Sequence, residues 1–155
     1  MNIRKIIKSC AVLSFPFHFN SSIWHKSIKA NCYEYLLDLK LGDSSGQLLV
    51  GNFSNITINR IISNYELLYV LHEDLNIIGY NLTEEVPATN CMEVFISRSR
   101  CGDYHFYRKD ISDLWSHKLS FELPTQNDFT GNTITLPEIA CSSDTPVGYF
   151  YYFFF

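Results

Sequence analysis

The stretch "CMEVFISRSRCGDYHFYR", Cys91 to Arg108, constrains the fold more than any other. Its first part alternates with the period of two that marks a strand, and "YHFYR" resumes that pattern. The Gly and Asp of "CGD" between them suit a tight turn, so the stretch predicts an antiparallel pair. An isolated pair is only marginally stable in water, and further strands are needed to cover it. The chain offers several. "YEYLLDLKL" places Leu37, Leu39 and Leu41 opposite Asp38 and Lys40, "GDSSG" is turn chemistry, and "QLLVG" reads as a returning strand. "YELLYVLHEDLNIIGYNL" (Tyr65–Leu82) reads as the clearest hairpin, with a buried strand rich in Leu and Tyr reaching Leu71, a turn at "HED", and "NIIGYNL" coming back. "KLSFEL" and "NTITL" supply later strands, and "KDISDLW" one helical turn with Asp110 as its cap. "NITINRII" fits either period.

Composition agrees with a packed domain. Of 155 residues 46 % are apolar and 18 % charged, which excludes disorder, and the length suits one domain. Ten Tyr, twelve Phe and two Trp favour a strand-rich core. The expected fold is therefore α+β, mainly β: a twisted antiparallel sheet with one or two short helices, stapled by disulfides. A net charge of −4 argues against a general nucleic-acid binder. The tail "VGYFYYFFF" is too short to span a membrane and reads as a final strand; as an exposed segment it would dock to a membrane or partner.

The start of the chain points to secretion. Arg4, Lys5 and Lys8 precede an apolar run, "CAVLSFPFHF", of the length of a secretory leader. Residues 1–22 are the expected leader, with cleavage as late as Ala30 the alternative, and 31–155 the single secreted domain. Removing the leader removes Cys10 and leaves Cys32, Cys91, Cys101 and Cys141, an even set suited to two disulfides. A local Cys91–Cys101 bond is disfavoured because an extended segment holds the two too far apart. Sequons at Asn52, Asn55 and Asn81 add to the secretory reading. The cysteine and histidine spacings lack the close pairs of a zinc site, so no metal and no cofactor is expected.

Candidate chemistry is sparse. Glu66 and His72 lie on the expected central hairpin and His105 on a later strand, the residue types an acid–base hydrolase needs. Arg98, Arg100, Tyr104 and Arg108 interleave cations with aromatics, a combination that binds nucleic-acid backbone and bases. No Gly-x-Ser-x-Gly elbow or glycine-rich phosphate loop is present.

"LLYVLHEDLNIIGYNL" resembles the strand–turn–strand of the small secreted fungal guanyl-specific ribonucleases, a scaffold on which powdery mildews build many secreted effectors. The early Cys32 fits that pattern, whereas Ala30 stands where such effectors carry an aromatic residue. The enzymes place an arginine where this chain has apolar residues around Leu68, and a catalytic histidine where it has Thr83. The resemblance therefore implies a non-catalytic descendant that binds host protein or RNA. An active secreted hydrolase such as a ribonuclease is the alternative, and a surface structural protein docked through Tyr149–Phe155 is a second.

Overall fold

The structure, a computed structural model, describes residues 16–46, 48–58, 63–141 and 143–154. Five strands form one antiparallel sheet: β1 (Tyr80–Thr83), β2 (Met92–Arg98), β3 (Tyr104–Lys109), β4 (Trp115–His117) and β5 (Thr145–Phe154), in the order β1-β5-β2-β3-β4. Three helices accompany it: α1 (Cys32–Leu36), α2 (Asn64–Ile77) and α3 (Pro137–Ala140). The α+β class and the antiparallel sheet are as expected. So is the β2–β3 hairpin, whose register pairs Val94 with Arg108 and Arg98 with Tyr104 across the "CGD" turn.

The aromatic tail is a strand, and its position is more central than an end of chain suggests. β5 lies between β1 and β2, with Tyr149 opposite Phe95 and Tyr152 opposite Met92. Phe150 and Tyr152 are buried on one face, and the Tyr152 hydroxyl donates to the Leu36 carbonyl at 2.6 Å. Enclosure in the sheet satisfies a backbone that would otherwise invite aggregation.

The central "hairpin" is corrected. Residues 64–77 form a helix of 14 residues, and only Tyr80–Thr83 is strand. Ser63 caps it: its hydroxyl accepts from the Glu66 N–H while the Glu66 carboxylate accepts from the Ser63 N–H, a reciprocal capping box. Leu67, Leu71 and Leu75 then recur at the four-residue spacing of one helix face, all essentially inaccessible to solvent. Burying three leucines contributes on the order of 1.5–3 kcal/mol each, far more than the β-propensity of the same letters. "HED" lies inside this helix, and the chain leaves it through Gly79, whose φ of +93° suits glycine.

Other expected strands are loops or turns. "YEYLLDLKL" begins as α1, capped by Asn31 with Glu34 in a second capping box. Its alternation still holds as burial, since Leu37 and Leu39 are buried while Asp38 and Lys40 form a surface ion pair at 2.6 Å. "QLLVG" and "KLSFEL" form no strand among the described residues, and "NTITL" contributes only an isolated bridge from Thr133 to Asn127. "KDISDLW" is a turn into β4, and Asp110 is buried beside Arg108 instead of capping a helix. Residues 59–62 of "NITINRII" lie outside the described residues, as does the n-region of the leader.

Both faces of the sheet are covered. On one, Leu67, Leu71 and Leu75 of α2 pack with Val94, Ile96, Phe106, Phe150 and Tyr152. On the other, Phe95, Tyr107 and Trp115 pack with Ile134 and Cys141 from the segment before β5. Phe17, inside the expected leader run, and Trp24, just after residue 22, are part of this packing. Phe17 is buried, its ring 4.7 Å from the Arg108 guanidinium, and its carbonyl accepts from the Ile111 N–H. Trp24, in a 3₁₀ turn over Ser21–Ser27, is buried against Tyr35.

The four cysteines correct the disulfide expectation: Cys32, Cys91, Cys101 and Cys141 are all free thiols. Cys32 packs against the α2-side core and Cys141 against the core on the opposite face, so the sheet separates them. Cys101 is exposed in the β2–β3 turn and Cys91 immediately precedes β2, at opposite ends of that strand. Their separation accords with the argument against a local Cys91–Cys101 bond.

Candidate ligand cleft

A cleft of about 460 Å³ opens where three segments meet: the start of α1, the loop over residues 49–58, and the β2–β3 turn. Each wall is fixed by a specific set of hydrogen bonds. The Asn31 amide, besides capping α1, donates to the Leu48 carbonyl at 2.7 Å and ties the helix start to the loop. The loop is anchored from beneath by Asp74 of α2, which is fully buried. One Asp74 oxygen accepts from the Tyr33 hydroxyl at 2.7 Å and the Gly51 N–H at 2.6 Å; the other accepts from the Ser54 N–H and hydroxyl at 2.7 and 2.6 Å. Four donors satisfy a carboxylate that would be costly to bury alone. Gly51 has φ +98°, and a Cβ there would collide with the Ile56 carbonyl oxygen. At the third wall the Tyr104 hydroxyl accepts from the Val50 N–H at 3.3 Å, closing loop to turn.

The lining decides what chemistry is open to the cleft. Among the described residues that line it, Asp103 is the one charged side chain, and none is a histidine, lysine or arginine. Burial pushes the Cys32 thiol up to about 11, and Tyr104 to about 12, while Tyr33 is raised well above its ordinary range by burial and the adjacent Asp74. These three groups are therefore protonated and neutral at pH 7. The cleft offers an apolar wall, hydroxyl and amide groups, and one carboxylate, which suits a neutral or singly cationic ligand and disfavours phosphate. The sequon residues Asn52 and Asn55 line it and are exposed, so glycans there would stand at its mouth.

The hydrolase candidates do not converge. Glu66 is the capping carboxylate of α2, held below the ordinary range by the Ser63 N–H and hydroxyl. His72 lies on the exposed side of the same helix, where Asn76 donates to its Nδ1 at 3.0 Å. His105 is on the far face of the sheet, edge-on to Tyr107. There its Nε2 meets Nδ1 of His117 at 2.9 Å, and His117 Nε2 meets the Asn127 carbonyl at 3.0 Å. The carbonyl only accepts, so His117 carries its proton on Nε2 and accepts from His105. Burial, reinforced by His117, pushes His105 down to about 3; burial also lowers His117. Both rings are neutral at pH 7.

The basic cluster is dispersed as well. Arg98 donates to the Asn64 side chain and the Gly102 carbonyl, tying α2 to the turn, and Arg100 is exposed in that turn. Arg108 is corrected from a binding residue to a core cation. It is buried, stacked 3.8 Å over the Tyr35 ring, bonded to the Tyr35 carbonyl at 2.9 Å and to Asp38 at 3.2 Å, with Asp110 at 3.7 Å. The sequence reading missed its counterpart, Lys118, whose ammonium donates to the carbonyls of Ile28, Ala30 and Leu119 and is pushed down to about 8 by burial. It also missed Asp74. A cation between two short apolar runs and an acid inside a helical heptad were the only signals. Asn81, the third sequon residue, sits in β1 opposite Phe153 and is half-buried.

Among the described residues no group of His, Cys, Asp and Glu is placed to hold a metal, and no helix is long and apolar enough to cross a membrane. No family model, curated protein or solved structure matches the chain.

Proposed function

We propose that this chain is a secreted binding protein that holds its ligand in the cleft between α1, the 49–58 loop and the β2–β3 turn without turning it over. The observation that carries this reading is the lining: a preformed cleft of about 460 Å³ whose thiol and phenols are all shifted away from neutrality. General acid–base work at pH 7 needs a group poised near that pH, whereas binding needs only shape and fixed donors. A pathogen effector acting on a host molecule, as the ribonuclease resemblance implies, is one setting for such a module. The segment that carried that resemblance is mostly helix, so the cleft, not the scaffold likeness, is the support offered here.

The test is thermal unfolding against three sets of small amphiphiles matched in size: neutral, monocationic and anionic. Neutral and monocationic members raise Tm, and Asp103→Lys removes the response to the cations. A response confined to anions, or product formed from any compound by intact protein, overturns the reading. Secretion is tested by intact mass from a eukaryotic host. Loss of residues up to Ser22 or Ala30 supports it, and an unprocessed chain refutes it.

A further inference from the structure

A second hollow, of about 280 Å³, lies between the outer side of α2 and the end of β1, with Phe150 of β5 among its walls. Its position follows from where the strand ladder stops. β1 pairs with β5 as far as Thr83 opposite Tyr151, one residue short of Phe150, and the chain then leaves the sheet at Glu84. Phe150 is therefore paired with Val94 of β2 on one side and, among the described residues, with no β1 residue on the other. It belongs to the sheet face that packs against α2. From that helix Tyr65, Leu68, Tyr69 and His72, at spacings of three and four, form one stripe over the same place. Tyr65 is 79 % and Tyr69 52 % exposed, large areas for aromatic rings on a helix already anchored by three leucines.

The lining narrows the chemistry of a ligand. Three aromatic residues, Tyr65, Tyr69 and Phe150, meet there with one carboxylate, Glu84, and among the described residues that line the hollow none is a lysine or arginine. Glu85 follows Glu84, and the Glu73 carboxylate lies 3.6 Å from His72 Nδ1, so the surrounding charge is negative. Aromatic faces attract cations through the ring quadrupole. Two of the hydrogen-bond acceptors beside them are already engaged. The Thr83 hydroxyl accepts from the Glu85 N–H at 3.1 Å, and His72 Nδ1 accepts from the Asn76 amide at 3.0 Å. A primary ammonium is strongly hydrated and brings three N–H donors that need acceptors. A fully alkylated ammonium brings none, and is held by ring faces and a single counter-charge. Size agrees with such a group, since the hollow is smaller than the roughly 300–1,000 Å³ of pockets for drug-sized ligands.

We propose that this hollow is a binding site for the quaternary ammonium group of a small molecule, held against Tyr65, Tyr69 and Phe150 with Glu84 as its counter-charge. A phosphate on the same molecule is disfavoured, because Glu84 and Glu85 would repel it. The site shares no lining residue with the cleft and stands whether or not the cleft binds a ligand.

The probe is choline, with two controls: its neutral analogue in which carbon replaces the nitrogen, and phosphocholine. Each is titrated into the full chain at pH 8 while NMR follows the amides of Leu82, Thr83 and Glu84, the ring signals of Tyr65 and Tyr69, and the amides of Gly51 and Asp103 at the cleft. Choline produces saturable shifts in the first two groups at millimolar concentration and leaves Gly51 and Asp103 in place. The neutral analogue and phosphocholine each bind at least several-fold more weakly. Tyr69→Leu keeps apolar bulk but removes a ring, and weakens choline about two- to five-fold, the worth of one cation–π contact at an exposed site. Glu84→Gln weakens it as well, and both changes are on exposed groups that leave the rest of the amide spectrum unchanged. Absence of saturable shifts, shifts confined to Gly51 and Asp103, equal binding of either control, or choline binding that either variant leaves unchanged overturns the proposal.

Discussion

Asp74 joins the fold to the cleft, and replacing it with alanine tests that link. The variant removes the acceptor for four donors and leaves their positions otherwise intact. Two of those donors, the Tyr33 hydroxyl and the Gly51 N–H, are buried. Stranding each costs about 1–3 kcal/mol. The Ser54 donors are half-buried and water replaces part of their loss, at about 0.5–1 kcal/mol each. The sum is about 3–8 kcal/mol, centred near 5, a large share of the 5–15 kcal/mol typical of a domain. At roughly 2–4 °C per kcal/mol for a chain of this size, the central figure lowers Tm by about 10–20 °C. Urea unfolding gives the free energy, and amide exchange at Gly51 and Ser54 reports whether the loop is released ahead of global unfolding. Tyr33→Phe alone costs about 1 kcal/mol, and in the double variant it costs almost nothing, because the hydroxyl it removes is already stranded. A loss below about 1 kcal/mol for Asp74→Ala, or strict additivity with Tyr33→Phe, would refute the argument that this carboxylate holds the loop.

Arg108→Met keeps the stacking volume but leaves Asp110 buried without its cation, and is expected to cost about 3–5 kcal/mol by urea unfolding. The double variant Arg108→Met/Asp110→Leu recovers most of that loss, and failure to recover refutes the ion-pair reasoning. The histidine pair makes the fold acid-sensitive. Both rings have lowered folded-state values, so the unfolded chain binds more protons below about 6.5, and stability is complete above that pH and falls as pH drops towards 3. His105 adds a slope approaching about 1.4 kcal/mol per pH unit and His117 adds to it in the same direction, and His105→Phe/His117→Phe flattens the profile; an unchanged slope refutes the assignment. Gly51→Ala forces a Cβ against the Ile56 carbonyl and is expected to disturb ligand response in the cleft as well as lower Tm; a neutral outcome refutes the close approach. Deleting Tyr149–Phe155 removes more than half of a central strand, with all of its pairing to β1, and abolishes cooperative unfolding; a soluble, folded remainder would restore the reading of the tail as a detachable anchor.

Much of the sheet was readable from local pattern. The β2–β3 hairpin declares itself through alternation and a Gly–Asp turn, and the tail through β-propensity without charge. The helices were also written in the chain, in signals that the strand reading passed over. "SNYE" at Ser63–Glu66 and "NCYE" at Asn31–Glu34 both place an acid three residues after a capping side chain. A period-two reading of Leu and Tyr hid them. Glu66, read as a catalytic candidate, is the capping acid itself.

The sequence by itself determined the α+β class with an antiparallel sheet, because alternation, turn residues and helix caps act within a few residues of one another. Only the tertiary structure decided the roles of the charged and titratable groups. Arg108 and Lys118 become core cations because carbonyls and carboxylates from segments some 70 to 90 residues away gather around them. His105 finds His117 across the β3–β4 pair, and Asp74 reaches back to a loop 20 residues earlier. Whether a polar side chain binds a ligand, holds a loop or fills a core depends on which distant backbone groups need it. Local spacing carries no information about those partners.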